Sequence, residues 1–241
     1  MKQIIPYKDS EHQKKKQVEQ MFDHIAPKYD FLNHVLSFGI DKLWRRKAIR
    51  ILSKYQPDTI LDVATGTGDF AIAASKLKPQ RLVGYDLSEQ MLNVGKAKIK
   101  QLGLESMIEF QKGDSEEMPF GDKQFDAITV AFGVRNFENL ENGLHEFFRV
   151  LKDDGVVVIL EFSKPKYFPM KQFYFFYFLH ILPFIGRLVS KDSSAYSYLP
   201  ESVMAFPDDL KFLAILQSVG FSKSKQNRLS FGIATIYIAQ K

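Results

Sequence analysis

The sequence predicts an α/β fold, a mostly parallel sheet covered by helices on both faces. Three observations carry that prediction. Between Thr59 and Phe162, five short apolar runs alternate with stretches of helical period. The runs are close to continuously apolar, as strands covered on both faces are. The first run ends in the glycine turn TGTGD, from Thr65 to Asp69, placed to join a strand to a helix.

The elements follow in order. Residues 1–16 are polar and lysine-rich, and read as a frayed, charged leader. The leader has no apolar core, so it is not a secretory signal. Val18, Met21, Phe22 and Ile25 recur at helical spacing, and the helix should end near Ala26-Pro27, because proline disfavours helical backbone in the residue before it. A second amphipathic helix is expected from Asp41 to Tyr55. TILDVA, from Thr59, is the first strand, with a helix after it from Phe70 to Leu77. RLVGYD, from Arg81, is the second strand. Ser88 can cap a helix that runs to Gly103. Further strands begin at Met107, Phe125 and Gly155, with a helix from Leu140 between the last two.

After Lys164 the alternation breaks. FYFFYFLHILPFIGRL, from Phe173 to Leu188, and the tyrosine-rich KDSSAYSYLPESV form an insertion. The α/β pattern returns with a helix starting near Pro207. Two strands, around Phe221–Arg228 and Ile233–Ala239, are joined by a short link containing Ser230 and Gly232, so an antiparallel hairpin is expected. The expected division is a helical segment over the site (1–55), a nucleotide-binding core (56–164), a cap insertion (165–206) and a final helix with the hairpin (207–241).

Composition removes several chemistries. The 241 residues contain no cysteine, which excludes disulfides, thiolate metal sites and a cysteine nucleophile. The five histidines show no paired ligand spacing, so no metal is expected. A net charge of +5 without a nucleic-acid motif reads as a solvated lysine-rich surface rather than a nucleic-acid face. The absence of cysteine and of a signal points to the cytoplasm.

Gly66 to Ala71 fits G-x-G-x-x-G/A, a weak pattern alone that gains weight between a strand and a helix. Asp86, closing the next strand, is placed to bond both hydroxyls of a ribose. A nicotinamide dinucleotide and S-adenosyl-L-methionine (SAM) both fit that outline. Charge separates them. Asp62, expected near the loop mouth, opposes a pyrophosphate and suits an ammonium and sulfonium, while loop N–H groups from Gly66 to Gly68 can hold a carboxylate. Asp114, closing the third strand, is placed near the adenine edge.

LDVATGTGDF, VGYDLS and KGDSEEMPF resemble the SAM-binding motifs of class I methyltransferases. Tyr29–Arg45, Thr129–Phe137, Arg149–Pro165 and Leu182–Pro207 more narrowly resemble the menaquinone/ubiquinone biosynthesis C-methyltransferases, a likeness that runs from about Val18 to Lys241. The resemblance implies a Rossmann-like class I methyltransferase: a seven-stranded, mostly parallel sheet with an antiparallel last strand, N-terminal helices and a helical cap insertion. It implies methyl transfer from SAM to a ring carbon of a polyprenyl quinol, demethylmenaquinol first, with S-adenosyl-L-homocysteine as product. Carried over by position, cofactor contacts fall on Thr67, Asp86, Asp114 and Ser115. Ala131 stands where many relatives have serine, so a side-chain hydrogen bond there should be lost. The alternatives are a benzoquinol acceptor, a nicotinamide-dependent oxidoreductase and a non-catalytic quinone-binding protein.

Methylating a ring carbon needs an electron-rich ring, and phenols ionise only near pH ~10. Arg135 and Asn136, just past the fourth strand, are expected to stabilise a developing phenolate and to hydrogen-bond the second ring oxygen. His34 is the candidate base. The apolar part of the greasy run, Phe173 to Ile185, is too short for the roughly 20 residues of a spanning helix. It is expected to cap a lipophilic tail and to touch the inner face of the cell membrane transiently. The sequence leaves a homodimer open.

Overall fold

The structure, a computed structural model, describes residues 4–181 and 194–241. Its strands are Thr59–Val63 (β1), Arg81–Asp86 (β2), Ile108–Lys112 (β3), Phe125–Ala131 (β4), Leu151–Phe162 (β5), Ser222–Leu229 (β6) and Ala234–Gln240 (β7). They form one sheet in the order β3-β2-β1-β4-β5-β7-β6. All neighbours from β3 to β5 pair in parallel, and β7 runs antiparallel between β5 and β6. The expected sheet, with its antiparallel last strand and terminal hairpin, is therefore present.

Both faces are covered. On one, α6 (Leu140–Val150) and the helix Leu210–Val219 bury Leu144, Phe147, Phe212 and Leu216 against β1, β4 and β5. On the other, α3 (Ile40–Leu52) and α4 (Asp69–Ala74) bury Trp44, Ala48, Leu52, Phe70 and Ala74. Each buried Leu or Phe among them contributes about 1.5–3 kcal/mol, and each alanine methyl less. Ser88 caps α5 (Glu89–Gln101) as expected, its Oγ accepting from Met91 N at 3.2 Å, a contribution of about 1 kcal/mol. Three glycines beside α5 serve one ring. A Cβ on Gly68, Gly84 or Gly95 would stand 2.5, 2.4 or 3.0 Å from Phe110, so their lack of side chains seats that ring beneath the loop.

A third apolar cluster sits above the carboxyl edge of the strands. There α1 (Lys14–Ile25), α2 (Tyr29–Leu36), α7 (Met170–Phe176) and the helix Ser194–Ala205 meet through Met21, Leu32, Tyr174, Phe178 and Tyr198. N-terminal helices and cap thus close on each other over the edge where ligands bind.

Several expectations change. The leader is not frayed among its described residues. Tyr7 N donates to Gln17 Oε1 at 2.9 Å, and α1 begins at Lys14, whose Nζ donates to Phe137 O at 2.7 Å. The last helix starts at Leu210 rather than near Pro207. The residues before it are used elsewhere: Asp208 Oδ2 accepts from Lys164 N, and Asp209 N donates to Tyr237 Oη. The greasy run forms α7 and a π-turn, Tyr177–Ile181; from Leu182 to Leu188 it lies outside the described residues. No helix among the described residues is long and apolar enough to cross a membrane.

Candidate active site

The strand order reverses between β1 and β4, which opens a crevice at their carboxyl ends. Leaving β1, the chain turns through Gly66 and Gly68, whose φ values of 57° and 82° suit glycine. Thr65 N donates to Tyr85 O at 3.1 Å and Gly68 N to Thr65 O at 2.9 Å, which pins the loop. Asp86, at the end of β2, accepts from Gly66 N at 2.7 Å and from Ser88 N at 2.8 Å. Burial pushes its carboxyl up to about 6, and those N–H groups pull it back. After β3, Asp114 Oδ1 accepts from Glu116 N at 2.9 Å while Lys15 holds the other oxygen.

Gly66, Asp86, Asp114, Ser115, Ala131 and Asn136 line this crevice together, around a free space of about 690 Å³. Its charge is one-sided. Glu19, Asp86, Asp114, Glu116 and Glu138 face it, against Lys15. Buried Asn136 Oδ1 is an acceptor without a hydrogen-bond partner among the described residues. This donor and acceptor set fits an adenosyl group carrying a sulfonium and an ammonium, and it opposes a pyrophosphate dianion. Asp86 would hold the ribose hydroxyls there.

A second cavity, with about 1480 Å³ of free space counted out into the solvent at its mouth, adjoins the first and shares Phe22, Tyr29 and Phe132 with it. Its walls are apolar, including Met21, Leu32, Trp44 and Phe178, and it reaches Phe38 and Phe173. Arg135 is the charged group that the expected site supplies to it. The turn Val134–Asn136 after β4 presents Arg135, which donates from Nη1 to Glu161 Oε1 at 2.9 Å and to Phe132 O. The guanidinium carbon lies 5.5 Å from the centre of the Phe162 ring. Glu161 is fully buried, and burial raises its carboxyl above the usual range although Arg135 works against that.

The structure does not gather every expected residue. Asp62 is not at the loop mouth. It is fully buried behind it, where its two oxygens accept from Thr65 Oγ1 and Thr129 Oγ1, each at 2.6 Å. Thr67 Oγ1 turns away from the crevice to Asp30 Oδ1 at 2.5 Å, and Gly68 shapes the turn without lining it. Asn136 lines the first crevice and not the second cavity, which separates it from the expected ring oxygen. His34 lines neither cavity. It stands 3.0 Å from Asp41 Oδ2 and 3.6 Å from Asp69 Oδ2, inside a network that includes Arg45 and Lys98. Ligand-type atoms of His34, Asp41 and Asp69 fall within 4.8 Å of one another, but those two cations already meet the negative charge.

Other residues enter that sequence reasoning passed over. Lys15 carried no signal inside a run of lysines, and Phe22 read as an ordinary core position. Tyr174 and Tyr198 belonged to the insertion without a stated role.

The model of the ubiE/COQ5 methyltransferase family matches residues 9–241. The chain is 53% identical over 239 residues to the demethylmenaquinone methyltransferase of Bacteroides fragilis, with 99% of this chain and 97% of the relative covered. It is 48% identical over 232 residues to the ubiquinone/menaquinone biosynthesis C-methyltransferase UbiE of Geotalea daltonii, covering 95% of this chain and 98% of the relative. A SAM-dependent methyltransferase structure from Thermotoga maritima, titled a possible histamine N-methyltransferase, has a TM-score of 0.66. Its sequence identity is 17%, over 92% of this chain and 99% of that one. At that identity it speaks for the fold alone.

Proposed function

The chain belongs to the ubiE/COQ5 methyltransferase family, and from that premise we propose that it methylates a ring carbon of a polyprenyl quinol, with demethylmenaquinol as acceptor. It is a SAM-dependent methyltransferase. One observation carries a lipophilic ring as acceptor: an acidic crevice meets a large apolar cavity across a shared wall of Phe22, Tyr29 and Phe132; the similarity to demethylmenaquinone methyltransferases favours demethylmenaquinol among such rings. A cationic donor suits the first. A ring with an apolar tail suits the second, at about 0.8 kcal/mol per buried CH₂.

When bound, SAM supplies an electrophilic methyl group on its sulfonium. The chain's own residues do the rest. Asp86 and the Gly66 turn hold the adenosyl end. Phe22, Tyr29 and Phe132 keep water from the junction. Arg135, fixed by Glu161 and by Phe132 O, places positive charge against a ring oxygen and favours the phenolate over the phenol. Its side chain is nearly buried, at 8% exposure, so that charge acts through little water.

The cavity rim supports a membrane contact. Phe38 and Phe173 line the cavity yet are 81% and 67% exposed. Lys42, Arg46 and Lys47 are exposed on α3, which follows Phe38, and Lys171 is exposed on α7 beside Phe173. An apolar tip with basic flanks suits an anionic bilayer surface, where a lipid-soluble acceptor is collected.

The test is anaerobic incubation with methyl-labelled SAM and reduced demethylmenaquinone. Label should enter the quinol in step with S-adenosyl-L-homocysteine. Label that stays in SAM with this acceptor but moves to a benzoquinol would reassign the ring, and label that moves to neither would overturn the reading.

A further inference from the structure

The apolar cavity contains polar atoms without a hydrogen-bond partner among the described residues. Tyr174 on α7 is 5% exposed and Tyr198 on the helix Ser194–Ala205 is 3% exposed, and both line the cavity with Arg135. Their hydroxyl oxygens, and Arg135 Nε, are buried without a hydrogen-bond partner among the described residues. Other buried or half-buried tyrosines behave differently. Tyr237 Oη accepts from Asp209 N at 2.7 Å, and Tyr177 Oη donates to Leu36 O at 2.8 Å. Glu161 offers little to the orphans, being engaged by Arg135 Nη1 and by Phe162 N, each at 2.9 Å. A buried hydroxyl without a partner is a cost to the folded chain, and two at one cavity ask for a ligand atom.

The orphans also come from different places. Arg135 stands at the carboxyl edge of the sheet, whereas Tyr174 and Tyr198 descend from the insertion. Burial raises both phenols above their ordinary range, against a smaller opposing effect of the Arg135 charge. At neutral pH each therefore remains an O–H donor.

We propose that the hydroxyls of Tyr174 and Tyr198, with Arg135 Nε, form the receptor for one oxygen of the substrate ring, donating hydrogen bonds to it as it becomes a phenolate. This rests on the quinol reading above and adds its binding determinant. The ring hydroxyl gives its proton to solvent, the ring carbon takes the methyl as the carbon–sulfur bond of the sulfonium breaks, and that carbon then loses its own proton to solvent and regains aromaticity; no bond to either tyrosine forms. The cap thus selects the head group as well as sheltering the tail, because an acceptor without an oxygen at that position leaves three donors unmet.

Tyr174→Phe, Tyr198→Phe and the double variant test this, because each removes a hydroxyl and keeps the ring. Four readouts are taken: Tm, SAM affinity by calorimetry, steady-state methyl transfer to reduced demethylmenaquinone across pH, and binding of a short-chain naphthoquinol. The last is read as quenching of Trp44, which lines the cavity and is the sole tryptophan. Losing an unmet buried hydroxyl should raise Tm of the free protein by about 2–4 °C. SAM affinity should not change. Quinol affinity and kcat/KM should each fall about tenfold per hydroxyl, and the acidic limb of the pH profile should move up by about one unit.

Wild-type kinetics in the double variant would overturn the proposal, as would a loss of activity that tracks a fall in Tm or in SAM binding. A wild-type protein that neither transfers methyl to the quinol nor shows quenching would instead overturn the quinol reading. Turnover by wild type with unchanged variants would fall on the tyrosines alone.

Discussion

Replacing Arg135 by methionine should separate its structural work from its chemical work. Glu161 is fully buried, and among the described ion pairs Arg135 is its partner. Removing the guanidinium strands an ionised carboxylate, which costs about 3–5 kcal/mol. For a chain of this size that is a fall in Tm of roughly 6–20 °C. The sign of the pH dependence follows from burial, which raises the Glu161 carboxyl in the folded state. The penalty is full where Glu161 is ionised in both states, shrinks as pH falls through its raised folded value, and is gone below its unfolded value. Arg135→Met should therefore be weakest at neutral and alkaline pH and approach wild type in acid. Adding Glu161→Gln removes the stranded charge and should restore stability to within about 1 kcal/mol of wild type. It should not restore chemistry: both variants should bind SAM and transfer methyl at least about 100-fold more slowly. Urea unfolding of wild type, Arg135→Met and the double variant at several pH values, with turnover, is the assay. A single variant as stable as wild type, or a double variant no more stable than the single, would refute the ion-pair reasoning.

Other expectations are shorter. The Asp86 carboxyl is held at about 6 in the free protein, and donation by ribose hydroxyls favours its charged form. SAM binding should therefore release protons near pH 6 and weaken by up to about tenfold between pH 7 and pH 5; calorimetry in buffers of different ionisation enthalpy checks this, and Asp86→Asn should abolish the pH dependence. Gly84→Ala places a Cβ 2.4 Å from Phe110, so urea unfolding should show a loss of about 1–3 kcal/mol, partly relieved by adding Phe110→Leu. Phe38→Ser with Phe173→Ser removes the two exposed rim aromatics and should cut co-sedimentation with anionic vesicles several-fold while leaving SAM affinity intact; undiminished sedimentation would remove the rim from membrane contact.

Much of the fold was legible because the strands announce themselves. VVVIL in β5 and ITVA in β4 are covered on both faces, and such strands read as apolar runs. Gly66, Asp86, Asp114 and Ser115 were legible because each closes or follows a strand at one edge, where topology brings them together. The rest depended on partners distant in sequence. Lys14 is buried because its amine finds the carbonyl of Phe137, 123 residues away, and a lysine in a polar leader gives no sign of that. Asp62 was expected to face the ligand because it precedes the glycine turn, but strand alternation turns it toward Thr65 and Thr129. Arg135 and Asn136 were expected to meet two oxygens of one ring because both follow the fourth strand. In a 3₁₀ turn, with about three residues per turn, adjacent side chains diverge by about 120°, and here they serve different cavities. His34 looked catalytic by residue type, and its carboxylate neighbours hold it elsewhere.

The central claim is that donor and acceptor occupy two cavities that meet at Phe22, Tyr29 and Phe132. An experimental structure with S-adenosyl-L-homocysteine and a short-chain naphthoquinol tests it most directly. The ribose should lie on Asp86, the sulfur should point to the shared aromatic wall, and the ring should sit beyond that wall beside Arg135. A ring bound outside the apolar cavity, or an adenosyl group away from Asp86, would contradict the account.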